Sequence, residues 1–211
     1  MNDYKEQLRI FTDPENRSQT ESYFEKYWLS NSEYIEKWLP LQNIIFDDKS
    51  KQMPDMMFRS DFEILPLEGG LMFYKENIKL WRDCCKETGD KYFVIIQNPN
   101  VQPEIMMPND ETLIHPLLRF KYPSNITLEE LMSGGYISTE LFQWFYKDYF
   151  VFGDSGSWGR YIANDTGNCP FDIIGFKKEY SQIFKKKFGR IPKRELKELE
   201  KWLPDSYKKY L

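Results

Sequence analysis

The sequence is poor in the residues that most enzymes use for proton transfer and metal binding. Its 211 residues include one histidine, His115, and three cysteines. A serine nucleophile needs a base that takes its proton, and a structural zinc site needs four nitrogen or sulfur ligands. The adjacent Cys84 and Cys85 do not have the C-x-x-C spacing of a metal knuckle. We therefore expect reduced cysteines, with one of this pair buried as a small apolar residue, no metal site and no cofactor.

Long apolar segments are also lacking. No window reaches the ~20 consecutive apolar residues of a membrane span, and the polar N-terminus has no basic region followed by an apolar stretch. The double glycines Gly69-Gly70 and Gly134-Gly135 lack the Lys or Gly-x-Gly context of phosphate-binding loops, which indicates turns. These features predict a cytoplasmic protein that does not enter a membrane.

The composition is that of a folded domain with an uneven charge. Hydrophobic residues make up 41% and aromatic residues 17% of the chain, so a large core can form without disulfides, and we predict one domain over residues 1–211. Residues 177–211 carry a net charge of +7, while residues 1–176 carry −11. The acidic body disfavours nucleic acid. For the basic tail, a phosphate-binding surface and a solvated helical face are both open, and we favour a helical face that lies against the acidic body.

The periodicity of apolar residues alternates between helical and strand patterns. Residues 20–39 have three- and four-residue spacing and predict a helix that Pro40 helps to end. Residues 53–98 predict strands around a helix, with the continuous apolar run "YFVII" in the middle of a sheet. The proline-rich residues 98–116 predict a long loop, a candidate lid or binding edge.

The second half of the chain continues this mixture. "LLRFKY" predicts a strand, "NITLEELM" a short helix with the capping box Thr127 and Glu130, and "STELFQWF" another helix. "DYFVFG", "GRYIAND" and "PFDIIGF" predict a β-meander, and two helices follow it. The fold class is therefore α+β, with a mostly antiparallel central sheet flanked by N- and C-terminal helices.

Residues 153–156 read Gly-Asp-Ser-Gly, the string that surrounds the nucleophile of chymotrypsin-like proteases. In that family a histidine base and a buried aspartate activate the serine. Here His115 stands in "LIHPLL", only 40 residues before Ser155, and the context and spacing do not fit. Glycine, aspartate and serine are also turn formers, so we predict a hairpin turn and assign no catalytic residue.

The same stretch supplies the candidate binding residues. Trp158 and Arg160 are expected to project from the hairpin, and both types are enriched at binding hot spots; covering a core edge is the alternative for Trp158. Asp154, Ser155 and Asp165 complete the candidate contact set. A second hypothesis is a small enzyme that uses carboxylates in a cleft near Asp154 and Asp165. Asp154, Asp165 and Asp172 match no calcium loop.

Residues 149–188 resemble the C-terminal half of SUKH-superfamily domains. The shared features are a strand leading to Phe152-Gly153-Asp154, the strand from Gly159 to Asp165 and the helix after Gly175. Upstream, the match is limited to Leu65-Pro66 and Gly69-Gly70. The resemblance implies an α+β domain and a non-enzymatic binding role. Bacterial members typically act as immunity proteins that neutralise a toxin, so it implies a protein partner, and the acidic body would suit a basic toxin.

Overall fold

Six strands form one sheet in which every pairing is antiparallel. The computed structural model describes residues 14–53, 55–67, 75–100, 118–135, 148–163, 171–188, 197, 200, 201, 203 and 205–211. The strands are β1 (Phe62–Leu67), β2 (Tyr92–Gln97), β3 (Arg119–Pro123), β4 (Tyr149–Gly153), β5 (Trp158–Ala163) and β6 (Phe171–Lys177). Their order is β1-β6-β5-β4-β2-β3. The predicted meander is present as β4, β5 and β6.

Helices precede, interrupt and follow the strands. They are α1 (Pro14–Tyr27), α2 (Asn31–Glu33), a π-helical turn (Tyr34–Trp38), α3 (Leu39–Ile45), α4 (Lys75–Thr88), α5 (Leu128–Leu131), a 3-10 turn (Lys178–Tyr180), α6 (Ser181–Phe188) and α7 (Asp205–Lys208). The predicted capping box at Thr127 and Glu130 begins α5. Together with the sheet, these helices confirm the α+β fold class.

Both faces of the sheet are buried. On one face, residues of α1, α4 and α6 such as Phe24, Trp81 and Phe184 pack against Phe93 and its neighbours. On the other face, a second cluster gathers the following residues with Val94 and Phe152: Trp38, Ile45, Phe46, Met57, Phe58 and Tyr207. Successive side chains of a strand point to opposite faces, so an interior strand between two cores must be apolar throughout. This confirms that "YFVII", which forms most of β2, is an interior strand with both faces covered. It does not lie in the middle of the sheet as predicted, because β2 is next to the edge strand β3.

A glycine pair makes room for the second cluster. Gly159 of β5 lies directly opposite Gly175 of β6. A Cβ at Gly159 would overlap Ile45 and the ring of Phe46, and a Cβ at Gly175 would overlap the ring of Phe58. The centres of these two rings lie 5.0 Å apart. The absence of two side chains therefore lets an aromatic pair lie directly on the backbone of the sheet.

The helix predicted for residues 20–39 has different bounds. α1 ends at Tyr27, because Trp28 forms a β-bridge with Phe120 and the Leu29 N–H donates to the Arg119 carbonyl at 3.0 Å. Ser30 then caps the next helical segment. Pro40 does not end that segment but stands in the first turn of α3, a position that needs no N–H donor.

The basic tail lies partly against the acidic body, as predicted. Lys185 pairs with Glu63 at 2.6 Å, and Lys187 pairs with Glu87. Surface pairs of this kind contribute only about 0–1 kcal/mol each. The burial of Phe184 therefore contributes more to the packing of α6 than these ion pairs do.

Other sequence predictions fall partly outside the described residues. Cys84 and Cys85 are both free thiols in the core, one more buried cysteine than predicted, and burial raises the pKa of each thiol well above its usual value. The segments "LMFY" and "STELFQWF" lie outside the described residues, as does most of the proline-rich loop. No helix among the residues that the structure describes could cross a bilayer.

Tyr207 connects the C-terminus to the segment before β1. Its buried hydroxyl accepts a hydrogen bond from the Met57 N–H at 2.8 Å and donates to the Asp55 carbonyl at 2.7 Å. We expect Tyr207→Phe to lower the free energy of unfolding by about 1–3 kcal/mol, because a buried N–H loses its acceptor. Urea unfolding measures this. The control Tyr210→Phe should change it by less than about 0.5 kcal/mol, and equal losses in both variants would contradict the assignment.

Candidate functional site

Gly153, Asp154, Ser155 and Gly156 close the hairpin between β4 and β5. Gly156 has a φ of +62°, and its N–H donates to the Gly153 carbonyl at 3.2 Å. The Ser155 hydroxyl accepts the N–H of Ser157 at 3.2 Å. The predicted turn is thus confirmed, and the serine oxygen takes part in holding it.

The hairpin turn is docked on the turn between α4 and β2 through Asp90. This buried carboxylate accepts hydrogen bonds from the Ser155 N–H, from the Trp158 indole N–H at 2.6 Å and from the Thr88 hydroxyl. A Cβ at Gly153 would overlap the same carboxylate. The glycine is therefore required here by the close approach of a side chain that lies far away in the sequence.

Burial governs the ionisation of Asp90. It raises the pKa of this carboxyl above its ordinary 3.8, and the hydrogen bonds from Thr88, Trp158 and Ser155 oppose the rise without cancelling it. The carboxylate oxygens accept hydrogen bonds from three residues. Because these residues belong to two different turns, Asp90 joins the turns. Asp90 is a structural residue of this end of the sheet.

Trp158 and Arg160 do not project from the hairpin. Both are 0% exposed, which corrects the expectation that they offer surface contacts. Each lies on the α4 face of β5 because alternate residues of a strand share a face. The Arg160 guanidinium carbon lies 5.7 Å from the centre of the Trp81 ring, and burial lowers the pKa of Arg160 to about 9. The alternative considered for Trp158 was that it covers a core edge, and the structure places it fully inside the core.

The remaining predicted residues divide between surface and undescribed segments. Ser155 is exposed and Asp154 is half-buried, whereas Asp165 and His115 lie outside the described residues. A carboxylate cleft near Asp154 and Asp165 therefore stays a prediction. Within the described parts of the chain, no three His, Cys, Asp or Glu side chains come together as metal ligands.

A different group of side chains forms a partly exposed surface beside this turn. We call it the cation–aromatic surface and define it as Tyr34, Lys37, Tyr92, Arg119 and Lys121. The Lys121 and Lys37 nitrogens lie 5.4 Å and 6.0 Å from the centre of the Tyr92 ring. The Arg119 guanidinium lies 5.3 Å from the Tyr34 ring. These distances are within the range of cation–π attraction.

Hydrogen bonds fix the two cations of β3. The Lys121 ammonium pairs with Glu33 at 2.7 Å, and Glu33 also accepts the Trp38 indole N–H at 3.2 Å. Burial alone would raise the pKa of Glu33, but the bonds and charge of Lys121 outweigh it and hold that pKa below 4.5. Arg119 donates to the Asn31 side chain at 2.8 Å. The surface therefore has an ordered geometry before any partner binds.

The cation–aromatic surface adjoins the predicted binding turn. The Asp154 N–H donates to the Tyr92 carbonyl at 3.0 Å, and the Asp154 carboxylate accepts the Lys91 N–H at 3.0 Å. Tyr92 remains 40% exposed, and Ile35 on the π-helical turn is 52% exposed. Asp154 and Ser155 thus lie at the border of a surface whose main members were not among the predicted residues.

One signal in the sequence could have indicated this surface. In "RFKYP" the residues alternate, so that Phe120 and Tyr122 face the core while Arg119 and Lys121 face outward. Such alternation is typical of a strand with one polar face. The aromatic partners of these cations come from other segments, and no local pattern could have identified them.

The Asp90 carboxyl predicts a pH dependence of stability. Its pKa is higher in the folded chain than the ordinary 3.8, so its contribution is full below that pH and is lost as the pH rises through the raised pKa. The free energy of unfolding of the wild type minus that of Asp90→Asn should therefore fall as the pH rises through this window. Urea unfolding at a series of pH values measures the difference.

The control for this experiment is Asp61→Asn, which removes an exposed carboxylate. The fall should be absent from the corresponding difference for Asp61→Asn. A wild-type minus Asp90→Asn difference that stays flat, or that grows with pH, would show that burial does not control this carboxyl.

A scan against protein-family models, a search of curated proteins and a search of solved structures each found no match to this chain.

Proposed function

We propose that this chain is a non-enzymatic protein-binding domain whose partner docks on the cation–aromatic surface. The observation that carries the proposal is the exposed Tyr92 ring between the ammonium groups of Lys37 and Lys121. Tyrosine and arginine are enriched among the residues that dominate protein interfaces. A tyrosine held in this way offers contact area and a hydrogen bond with little loss of side-chain entropy.

The geometry favours binding because the contact groups are already held in place. Lys121 is fixed by Glu33, and Arg119 is fixed by Asn31 and lies over Tyr34. A rigid interface loses less conformational freedom on association than one that must order its side chains. The nearby turn, docked by Asp90, adds the exposed Ser155 to the same side of the molecule.

Charge defines the partner's contact chemistry. The surface has the three cations Lys37, Arg119 and Lys121, and Glu33 pairs with Lys121 and also interacts with the charge of Lys37. A partner that places carboxylates over these cations and an apolar side chain against Tyr92 is complementary to it. The net charge of the whole chain is −4, whereas the cations of the contact surface are positive. The chain as a whole therefore attracts positively charged partners at long range. The part of the partner that touches this surface should be acidic.

The turn residues argue against Ser155 as a nucleophile, whereas the carboxylate enzyme alternative also needs Asp165, which lies outside the described residues. The Ser155 oxygen accepts the Ser157 N–H, and the Asp154 carboxylate accepts the Lys91 N–H. Both side chains thus have structural partners within the turn. A nucleophile needs instead a neighbouring base oriented by a third group.

The resemblance to SUKH domains suggests a finer form of the proposal. If the partner is a toxin, the chain acts as its immunity protein and covers a functional surface of that toxin. The acidic patch inferred here would then lie beside the toxin's active site. This form depends on the resemblance, whereas the broader binding role depends on the surface.

The binding role predicts the effect of one substitution. Affinity purification with the wild-type chain should retain a protein whose recombinant form binds directly, and Tyr92→Ala should weaken that complex by about tenfold or more. Isothermal titration calorimetry of the purified pair measures the change. The reason is the loss of the aromatic contact between the two cations.

The matched control is Ile183→Ala on α6, where a side chain of similar exposure, 39%, is removed from a different face. It should leave the dissociation constant within about twofold. A complex that Tyr92→Ala leaves intact, or that both variants weaken equally, would overturn the assignment of this surface.

The toxin form predicts protection of cells. Co-expression of the wild-type chain should restore growth to cells that produce the partner, and Tyr92→Ala should lose protection in proportion to its lost affinity. Plating efficiency measures this. A partner that does not impair growth would refute the toxin form and leave the binding role standing.

A further inference from the structure

A cavity of about 970 Å³ lies between α4 and the turn that joins β3 to α5. Its α4 wall lies on the face of the sheet opposite to that of Tyr92. Its other wall is near Tyr92 in the fold, because Pro123 pairs with Tyr92 and the Ser124 N–H donates to the Lys91 carbonyl at 2.9 Å. Its volume is at the upper end of the range of about 300–1,000 Å³ that small-molecule sites occupy. A cavity of this size can hold a small molecule that has a polar group against one wall and an apolar part against another.

One wall is a basic stripe on α4, formed by Lys79, Arg82 and Lys86. These residues stand at positions i, i+3 and i+7, which share one face of a helix. All three side chains are exposed. Among the described residues, none of them forms an ion pair. Their charges therefore face the cavity without a carboxylate partner within bonding distance.

Two acids of the same helix, Asp83 and Glu87, interact with another element. Glu87 pairs with Lys187 of α6, and Lys187 also feels the charge of Asp83. Burial would lower the pKa of Lys187, but the bond to Glu87 and the charges of Asp83 and Glu87 raise it. Asp83 reaches the cavity wall, yet this lysine offsets part of its charge. Among the described residues, the cavity lining has three cations and one partly compensated carboxylate.

The opposite wall supplies neutral donors and an apolar patch. Ser124 and Asn125 line it from the turn after β3, while Ile78 and Leu128 form the apolar part. The Thr127 hydroxyl is occupied by the capping box of α5. Neither the Ser124 nor the Asn125 side chain bonds to any group in the part of the chain that the structure describes. Both are thus available to a ligand.

We infer that this cavity, which we call the α4 cavity, binds a soluble phosphate-bearing small molecule. The phosphate contacts Arg82, flanked by Lys79 and Lys86, and the rest of the molecule lies toward Leu128. A guanidinium binds two oxygens of a phosphate with its fork of N–H groups, and ammonium groups on both sides add charge. A tetrahedral anion uses three cations on one helical face better than a planar carboxylate with two oxygens can.

Pyrophosphate tests this inference on the full-length chain. Calorimetry at low ionic strength should show binding that weakens as salt is added, and Arg82→Gln should raise the dissociation constant about tenfold or more. Succinate, a dicarboxylate, should bind more weakly than pyrophosphate. In ¹H–¹⁵N spectra the amide signals of Ser124, Asn125 and α4 should shift during the titration.

The matched control is Lys186→Gln, which removes an exposed lysine from α6 outside the cavity. It should change the dissociation constant by less than about twofold. Circular dichroism verifies that Arg82→Gln remains folded, and Lys79→Gln provides a second cavity variant that should also weaken binding.

Four results would overturn the inference: no binding of pyrophosphate at millimolar concentration, equal weakening by Lys186→Gln, unchanged binding in both cavity variants, or succinate binding as tight as that of pyrophosphate. Tyr92→Ala should leave pyrophosphate binding unchanged. The two functional assignments therefore stand or fall separately.

Discussion

A buried carboxylate determines how one end of the sheet is assembled. Asp90 receives donors from Ser155, Trp158 and Thr88, and its position requires glycine at 153. Removing a carboxylate from water is costly unless several donors replace the lost hydration. The hairpin turn and the α4–β2 turn together provide those donors. If either turn shifted, the buried Asp90 carboxylate would lose hydrogen bonds, and this would destabilise the junction. Tyr92 follows immediately after this junction, and its place on the surface is set by it.

The two cores explain where binding surfaces can occur. Helices cover both faces of the sheet, and in the described part of the chain two groups of polar side chains lie at the edge strand β3 and beside α4. At β3 the outward residues Arg119 and Lys121 contact aromatic rings, which gives the cation–aromatic surface. On the other face, α4 is apolar toward the sheet and basic toward the turn after β3, which gives the α4 cavity. Two separate surfaces thus arise from one amphipathic architecture.

Local patterns predicted most of the elements. The alternating or continuous apolar runs identified β2 to β6, and the capping box at Thr127 identified α5, because these signals depend on neighbours within a few residues. The prediction of one helix over residues 20–39 was wrong, since Trp28 pairs with Phe120 of a strand far along the chain. Trp158 and Arg160 were misplaced on the surface for a similar reason. Their burial depends on α4 packing over β5, which no local spacing reports.

The sequence by itself determined the α+β class, the meander and the Gly-Asp-Ser-Gly hairpin, because backbone preferences and apolar periodicity act locally. Only the tertiary structure decided which side chains meet. Trp158 reaches Asp90 across 68 positions, and Lys121 reaches Glu33 across 88. The spacing of charged and aromatic residues in the sequence does not show which distant residues they will contact. Their pairing follows from strand order and helix packing, and so the candidate binding surface became visible only when the fold brought those residues together.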